Sequence, residues 1–221
     1  MSKNRKFNLD DAYAVKTPAD SVRLYGAWAD TYDTEFVASE GYVAYLRVAE
    51  LLLRQRPLIE GAVLDAGCGT GIVGASLREG GIEVVDGIDI SPQMLATAGE
   101  KKAKDGLPVY RRLIAADLTT ELDIPGNQYA GLVSAGTFTH GHLGPDSLDE
   151  LWRVAAPGAA CAIGIRSTHY VAMDFGGKLA GDVDNGTITQ PDVVEINMYS
   201  PQTSNLEHAG DTALIVVCHV V

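Results

Sequence analysis

Four groups of residues in this 221-residue chain have the types and spacing that chemistry asks for. The first is Val63-Leu64-Asp65-Ala66-Gly67-Cys68-Gly69-Thr70-Gly71, an apolar-leaning run that ends in three glycines at alternate positions. It reads as a short buried strand, a tight turn and, from Ile72, the first turns of a helix. Glycine lets the backbone turn sharply and a ligand approach the main chain, and a helix N-terminus offers unpaired N–H groups. A strand running through such a turn into a helix opens a nucleotide-binding α/β unit. The second and third groups are single acids, Asp89 and Asp117, each closing an apolar run. The fourth is the pair His140 and His142, with Gly141 between them.

The glycine turn admits two registers. Gly69 to Gly74 fits the dinucleotide spacing G-x-G-x-x-G, the pattern of an NAD(P)-dependent oxidoreductase. Yet the first glycine after the strand is Gly67, so that match begins too late to form the turn, and Asp65 would set a carboxylate against a pyrophosphate. An acid at this point suits a ligand with a cationic amino group. Read that way, the nonapeptide closely resembles motif I of the class I S-adenosylmethionine-dependent methyltransferases. The resemblance implies a cofactor, S-adenosylmethionine, held by Asp65, Ala66, Gly67, Cys68 and Gly69.

Asp89 stands at the end of the second strand, the usual place for an acid that accepts from both ribose hydroxyls. A dehydrogenase would use it in the same way, and a surface acid at a strand end is the plain alternative. The resemblance sets Ile90 and Met94 against the adenine. It also matches Asp117, followed by Leu118, to the acid that accepts from the adenine amino group, a task suited to a carboxylate. Ser134 and Ala135, closing the fourth strand, would meet the methionine part of the cofactor. Upstream, Leu24-Tyr25-Gly26-Ala27-Trp28-Ala29 with Tyr32-Asp33 looks like the Y-x-x-W-A-x-x-Y-D opening of small methyltransferases, which lies over the bound cofactor. Tyr25 and Tyr32 become candidate contacts on those grounds; by periodicity alone they would be core.

The loop Ala135 to His142 follows the fourth strand, beside the switch point where open α/β sheets bind ligands. Its histidines either shape an acceptor site, as orienting groups or a base, or face solvent. No nearby Asp, Glu or Cys completes a metal-ligand spacing, so no metal is expected.

These groups need a scaffold. The spacing of Tyr25, Trp28 and Tyr32 predicts a helix from Ser21 with three aromatics on one face. A second helix is expected from about Tyr42 to Gln55, with Val43, Leu46, Ala49, Leu52 and Leu53 inward. Strands are expected over Val63–Ala66, Glu83–Ile88, Val109–Ala115, Tyr129–Ser134 and Ala159–Ile165. Ser91-Pro92 marks a helix start, a helix follows Asp146, and another spans about Thr168 to Leu179. Thr17-Pro18 reads as a break after a loosely ordered lead-in over residues 1–20. Val193–Tyr199 and Thr212–Val221 have no helical pattern between them and predict an antiparallel hairpin, its apolar last run inside the sheet. The resemblance supplies the order 3-2-1-4-5-7-6: an α/β, Rossmann-like, seven-stranded and mostly parallel sheet with an antiparallel C-terminal strand and helices on both faces. It departs from the family at Tyr129-Ala130, where an aromatic followed by Asp is common, and at Ala159, where a second glycine usually stands.

Composition narrows the partners. A net charge of −12, from 17 basic and 29 acidic residues, opposes a role on nucleic acid. Cys68, Cys161 and Cys218 lack paired spacing and read as buried free thiols. No secretory leader and no apolar run of membrane-spanning length is evident. The expectation is one methyltransferase domain over residues 21–221 with a helical lid at about 21–56. It would be cytoplasmic, a monomer or homodimer, and would act on a small-molecule acceptor; a non-catalytic binding module remains open.

Overall fold

The computed structural model describes Val15, residues 17–203 and residues 206–221. The expectation for residues 1–14 and 16 lies outside the described residues.

Seven strands, β1 (Val63–Ala66), β2 (Val85–Asp89), β3 (Arg112–Ala115), β4 (Tyr129–Phe138), β5 (Ala155–Arg166), β6 (Asp192–Asn197) and β7 (Thr212–His219), form one sheet in the order β3-β2-β1-β4-β5-β7-β6. Neighbours are parallel except that β7 runs antiparallel to both β5 and β6. This is the order and polarity the sequence predicts. β7 is inner because Ala213, Ile215, Val216 and Cys218 are buried along it, and an edge position would leave that apolar surface uncovered. The three thiols are buried and free.

Alternation along the strands divides the core into two layers. Leu64, Ala66, Leu132 and Ile163 face one side with α5 (Ser147–Val154) and α7 (Phe175–Asp184), around Leu151, Trp152 and Phe175. Val63, Val85, Val133 and Ala162 face the other, with α2 (Ala44–Arg54), α3 (Ile72–Glu79) and α4 (Pro92–Glu100). In α2 the inward residues are Val48, Ala49 and Leu52. Leu46, expected inside, is 45% exposed.

Several boundaries differ from the expectation for local reasons. Thr17-Pro18 starts α1 (Pro18–Trp28): Thr17 accepts from the Asp20 N–H at 3.2 Å as N-cap, and Pro18 fills the first turn, where a missing N–H costs nothing. The aromatic helix does not run on to Tyr32. It stops at Trp28, and Tyr32–Ala38 forms a π-helical turn. β4 continues past Ser134 to Phe138 through a register shift at Gly136, whose φ is 78°. β5 starts at Ala155, and the helix expected from Thr168 is two, α6 (Ser167–Ala172) and α7, broken where Asp174 turns left-handed and caps Gly177 at 3.1 Å.

Candidate active site

The carboxyl ends of β1, β2 and β4 meet at the glycine turn. Gly67, at φ 72°, lies so close to β4 that a Cβ would fall 2.0 Å from Thr137 Oγ1. Gly71, at φ 89°, is the left-handed N-cap of α3. Across the turn, Asp89 accepts from Gly69 N–H at 2.9 Å and from Ser91 N–H at 2.8 Å. Burial pushes its carboxyl above the ordinary value, against the pull of those N–H groups. Each oxygen keeps a further lone pair for a ligand hydroxyl. Ser91 in turn caps α4, accepting from Met94 N–H at 3.3 Å, which fixes Ile90 and Met94 beside the acid.

A cavity of about 880 Å³, counting its open mouth, lies over this turn. Gly67 and Gly69 form its floor and Asp89, Ile90 and Met94 one wall; Asp117 and Leu118 continue that wall. Asp117 is fixed by Thr119, whose N–H and hydroxyl donate to Oδ1 at 2.9 and 2.7 Å. Pro18, Ser21, Tyr25 and Tyr32 make the roof, and His142 closes the far end.

The remaining predicted residues lie elsewhere. Asp65, Ala66, Cys68 and Ser134 do not line the cavity, because they sit within the strand–turn core at 0 to 3% exposure. Asp65 takes the Tyr110 hydroxyl at 2.7 Å on Oδ2, while Oδ1 has no partner among the described residues. Burial lifts this carboxyl to about 7, overcoming the Tyr110 hydrogen bond. Ser134 donates to the Ala66 carbonyl at 2.7 Å and so ties β4 to β1. His140 also lies off the cavity, with Nε2 2.9 Å from Thr168 Oγ1.

His142 is placed differently from its neighbour. Its Nδ1 lies 3.0 Å from the His140 carbonyl, an acceptor only, so Nδ1 carries the proton and Nε2 the lone pair. Nε2 is buried and has no partner among the described residues. Burial holds the ring below the usual histidine value and therefore neutral at pH 7. Tyr25 packs on it at 5.5 Å between ring centres.

Beyond Tyr25, Tyr32, Ala135 and Gly136 a second chamber opens, walled by Trp28, Phe36, Tyr42 and Phe138. Asp33 was not singled out by the sequence, yet it fastens the roof: Oδ1 accepts from Thr70 Oγ1 at 2.5 Å and Oδ2 pairs with Lys101. Its place after Tyr32 was the available signal. Lys101, 68 positions away, gave none.

Residues 63–158 match the family model for a methyltransferase domain. Human methyltransferase-like protein 27 is 30% identical over 159 residues, covering 71% of this chain and 62% of the relative, so the match spans less than two thirds of that protein. Among solved structures, the [4+2]-cyclase SpnF superposes with a TM-score of 0.69 at 16% identity, covering 93% of this chain and 97% of the other. An S-adenosylmethionine-dependent methyltransferase from Aquifex aeolicus gives 0.58 at 22% identity, covering 92% and 99%. At those identities the two structures speak for the fold alone.

The fold is that of the class I S-adenosylmethionine-dependent methyltransferases, and residues 63–158 match a methyltransferase domain, for which the cofactor is S-adenosylmethionine. The residues present fit that group: a cationic, ribose-bearing ligand meets a half-buried carboxylate with lone pairs to spare, open glycine backbone and an apolar shelf at Ile90 and Met94. Within the class, this chain is similar to methyltransferase-like protein 27.

Proposed function

We propose that this chain methylates a small-molecule acceptor, with Asp89, Ile90, Met94, Asp117, Leu118, Gly67 and Gly69 holding the cofactor and Tyr25 and Tyr32 covering it. Bound S-adenosylmethionine supplies a methyl group on a positively charged sulfur, so an acceptor atom that attacks in line takes the methyl and leaves a neutral thioether. The protein's own contribution is alignment and exclusion of water. Asp89 would fix the ribose, the glycine backbone would let the ligand lie against the turn, and the roof would close the site. His142, with its lone pair on Nε2, orients the acceptor or takes its proton. His140 acts through His142, by holding its Nδ1 proton with the backbone carbonyl. Asp65, Ala66, Cys68 and Ser134 support the turn from behind.

The observation that carries this reading is the pair of adjoining chambers, one lined by Asp89 and His142 and the other by Phe36, Tyr42 and Phe138, which share Tyr25, Tyr32, Ala135 and Gly136 in their walls. Action in the cytoplasm, as a monomer or homodimer and away from nucleic acid, belongs to the same reading. Incubation with methyl-deuterated S-adenosylmethionine and a fractionated small-molecule extract, read by mass spectrometry, is the test. It should yield a product heavier by one labelled methyl together with S-adenosylhomocysteine. Firm cofactor binding with no labelled product from any fraction would turn the reading to a binding protein.

A further inference from the structure

The second chamber is lined by flat rings. Phe36 stacks on Tyr42 at 4.9 Å between centres and lies 5.1 Å from Tyr32, with Phe138 buried beside them. Arg166 is the charged residue in its wall, and it is paired with Asp211 at 2.8 Å. Such a lining favours a planar, uncharged occupant: ring faces reward stacking, and an ion would leave water without compensation.

Two buried polar atoms near the junction have no partner among the described residues. They are Thr139 Oγ1, in the wall of the second chamber, and His142 Nε2, in the wall of the first. One turn carries both, closed by the His142 N–H donating to the Thr139 carbonyl at 3.1 Å. A buried polar atom left unpaired is costly, so a ligand that completes both gains selectively. Because Nδ1 is the protonated nitrogen, Nε2 needs a donor.

We infer that the acceptor is a neutral, planar aromatic molecule bearing a phenol-type hydroxyl, its ring in the second chamber and its O–H directed at His142 Nε2, with Thr139 Oγ1 as second partner. The chemistry rests on the methyltransferase reading above; the binding does not. In the transfer the hydroxyl oxygen gains the methyl, the pair of the broken carbon–sulfur bond stays on sulfur, and the hydroxyl proton passes to Nε2. A phenol, near 10, is within reach of an imidazole weakened by burial, whereas an alkyl alcohol, a far weaker acid, is not.

Equilibrium binding of 2-naphthol, 2-methoxynaphthalene and 2-naphthoate to the full chain tests this, with and without saturating S-adenosylhomocysteine. The naphthol should bind about tenfold more tightly than its ether, which lacks the donor, and more tightly than the anion. His142→Phe should erase most of that advantage, while Thr139→Val, which removes a donor open to both the hydroxyl and the ether oxygen, should weaken both ligands alike and leave S-adenosylhomocysteine affinity within about twofold. If His142→Phe does not fold, His142→Leu carries the comparison. Preference for the naphthoate, or an advantage over the ether that survives in a folded His142 variant, overturns the inference. Absence of S-adenosylhomocysteine binding would instead overturn the methyltransferase reading, with the naphthol series in the apo protein still deciding this one.

Discussion

Asp89 has two duties, and they can be separated. Its oxygens hold the Gly69 and Ser91 amides, and their remaining lone pairs face the cavity. Asp89→Ala should weaken S-adenosylhomocysteine binding by roughly 1–3 kcal/mol, the range for a charge-assisted hydrogen bond left unmade. Asp89→Asn keeps one oxygen acceptor and should fall between the two. Calorimetric affinity unchanged in a folded Asp89→Ala variant would remove the residue from the site. Asp65 makes a prediction of the opposite kind, about stability rather than binding. Its carboxyl rises from an ordinary 3.8 to about 7 on folding, so the native state keeps a proton that the unfolded chain has lost. Its contribution to stability is therefore largest below about pH 4, is lost as pH rises to about 7 and is level beyond. Asp65→Asn keeps an oxygen for the Tyr110 hydroxyl and cannot titrate. Between pH 5 and pH 8 it should gain about 2–3 kcal/mol on the wild type in urea unfolding, at about 1.4 kcal/mol per pH unit over the interval. Parallel stability curves for the two proteins would show that Asp65 is already ionised in the native state.

The roof is the element on which function turns. α1 and the π-helical turn after it are tied to the rest of the molecule by Phe36, packed on Tyr42 and Tyr199, and by the Asp33 contacts to Thr70 and Lys101, with Tyr25 and Tyr32 over the cavity. Asp33 and Lys101 are partly exposed, so that ion pair is modest. Asp33→Ala should weaken S-adenosylhomocysteine binding about 5-fold, near 1 kcal/mol, and speed amide exchange from Ser21 to Ser39. In the wild type the same segment should slow on adding the ligand. Exchange indifferent to both ligand and mutation would make it fixed core and no lid. The sequence showed this segment through its aromatic spacing but not its break, because a helical period cannot foretell a turn that widens to i→i+5 bonding. The terminal hairpin was legible, since two β-branched runs without a helical period between them leave one arrangement, and the glycine turn announces its strand and helix; the strand order came from the resemblance to the methyltransferases. The extension of β4 was not legible, since Gly136 reads as loop until β5 is there to pair with Phe138. In the site, acids at strand tips could be read because topology alone places them. Asp65 could not, because whether a strand residue faces the ligand or Tyr110 is decided by a contact 45 positions away.

At the scale of the whole molecule, one seven-stranded sheet carries every residue of the site on its carboxyl edge or on the roof above it. A ligand that fills this cavity binds the folded chain alone and must raise its melting temperature by mass action. The net charge of −12 adds a condition, since a cationic sulfonium ligand approaches such a molecule more readily at low salt than at high. The binding of S-adenosylmethionine should therefore weaken modestly between about 50 and 500 mM salt, while NADH should not bind at either. The most direct measurement is titration calorimetry of the full chain with S-adenosylhomocysteine and, separately, with NADH. One S-adenosylhomocysteine bound per chain, with affinity reduced in Asp89→Ala and no heat from NADH, is the result this account predicts. Saturable binding of NADH with none of S-adenosylhomocysteine would contradict it.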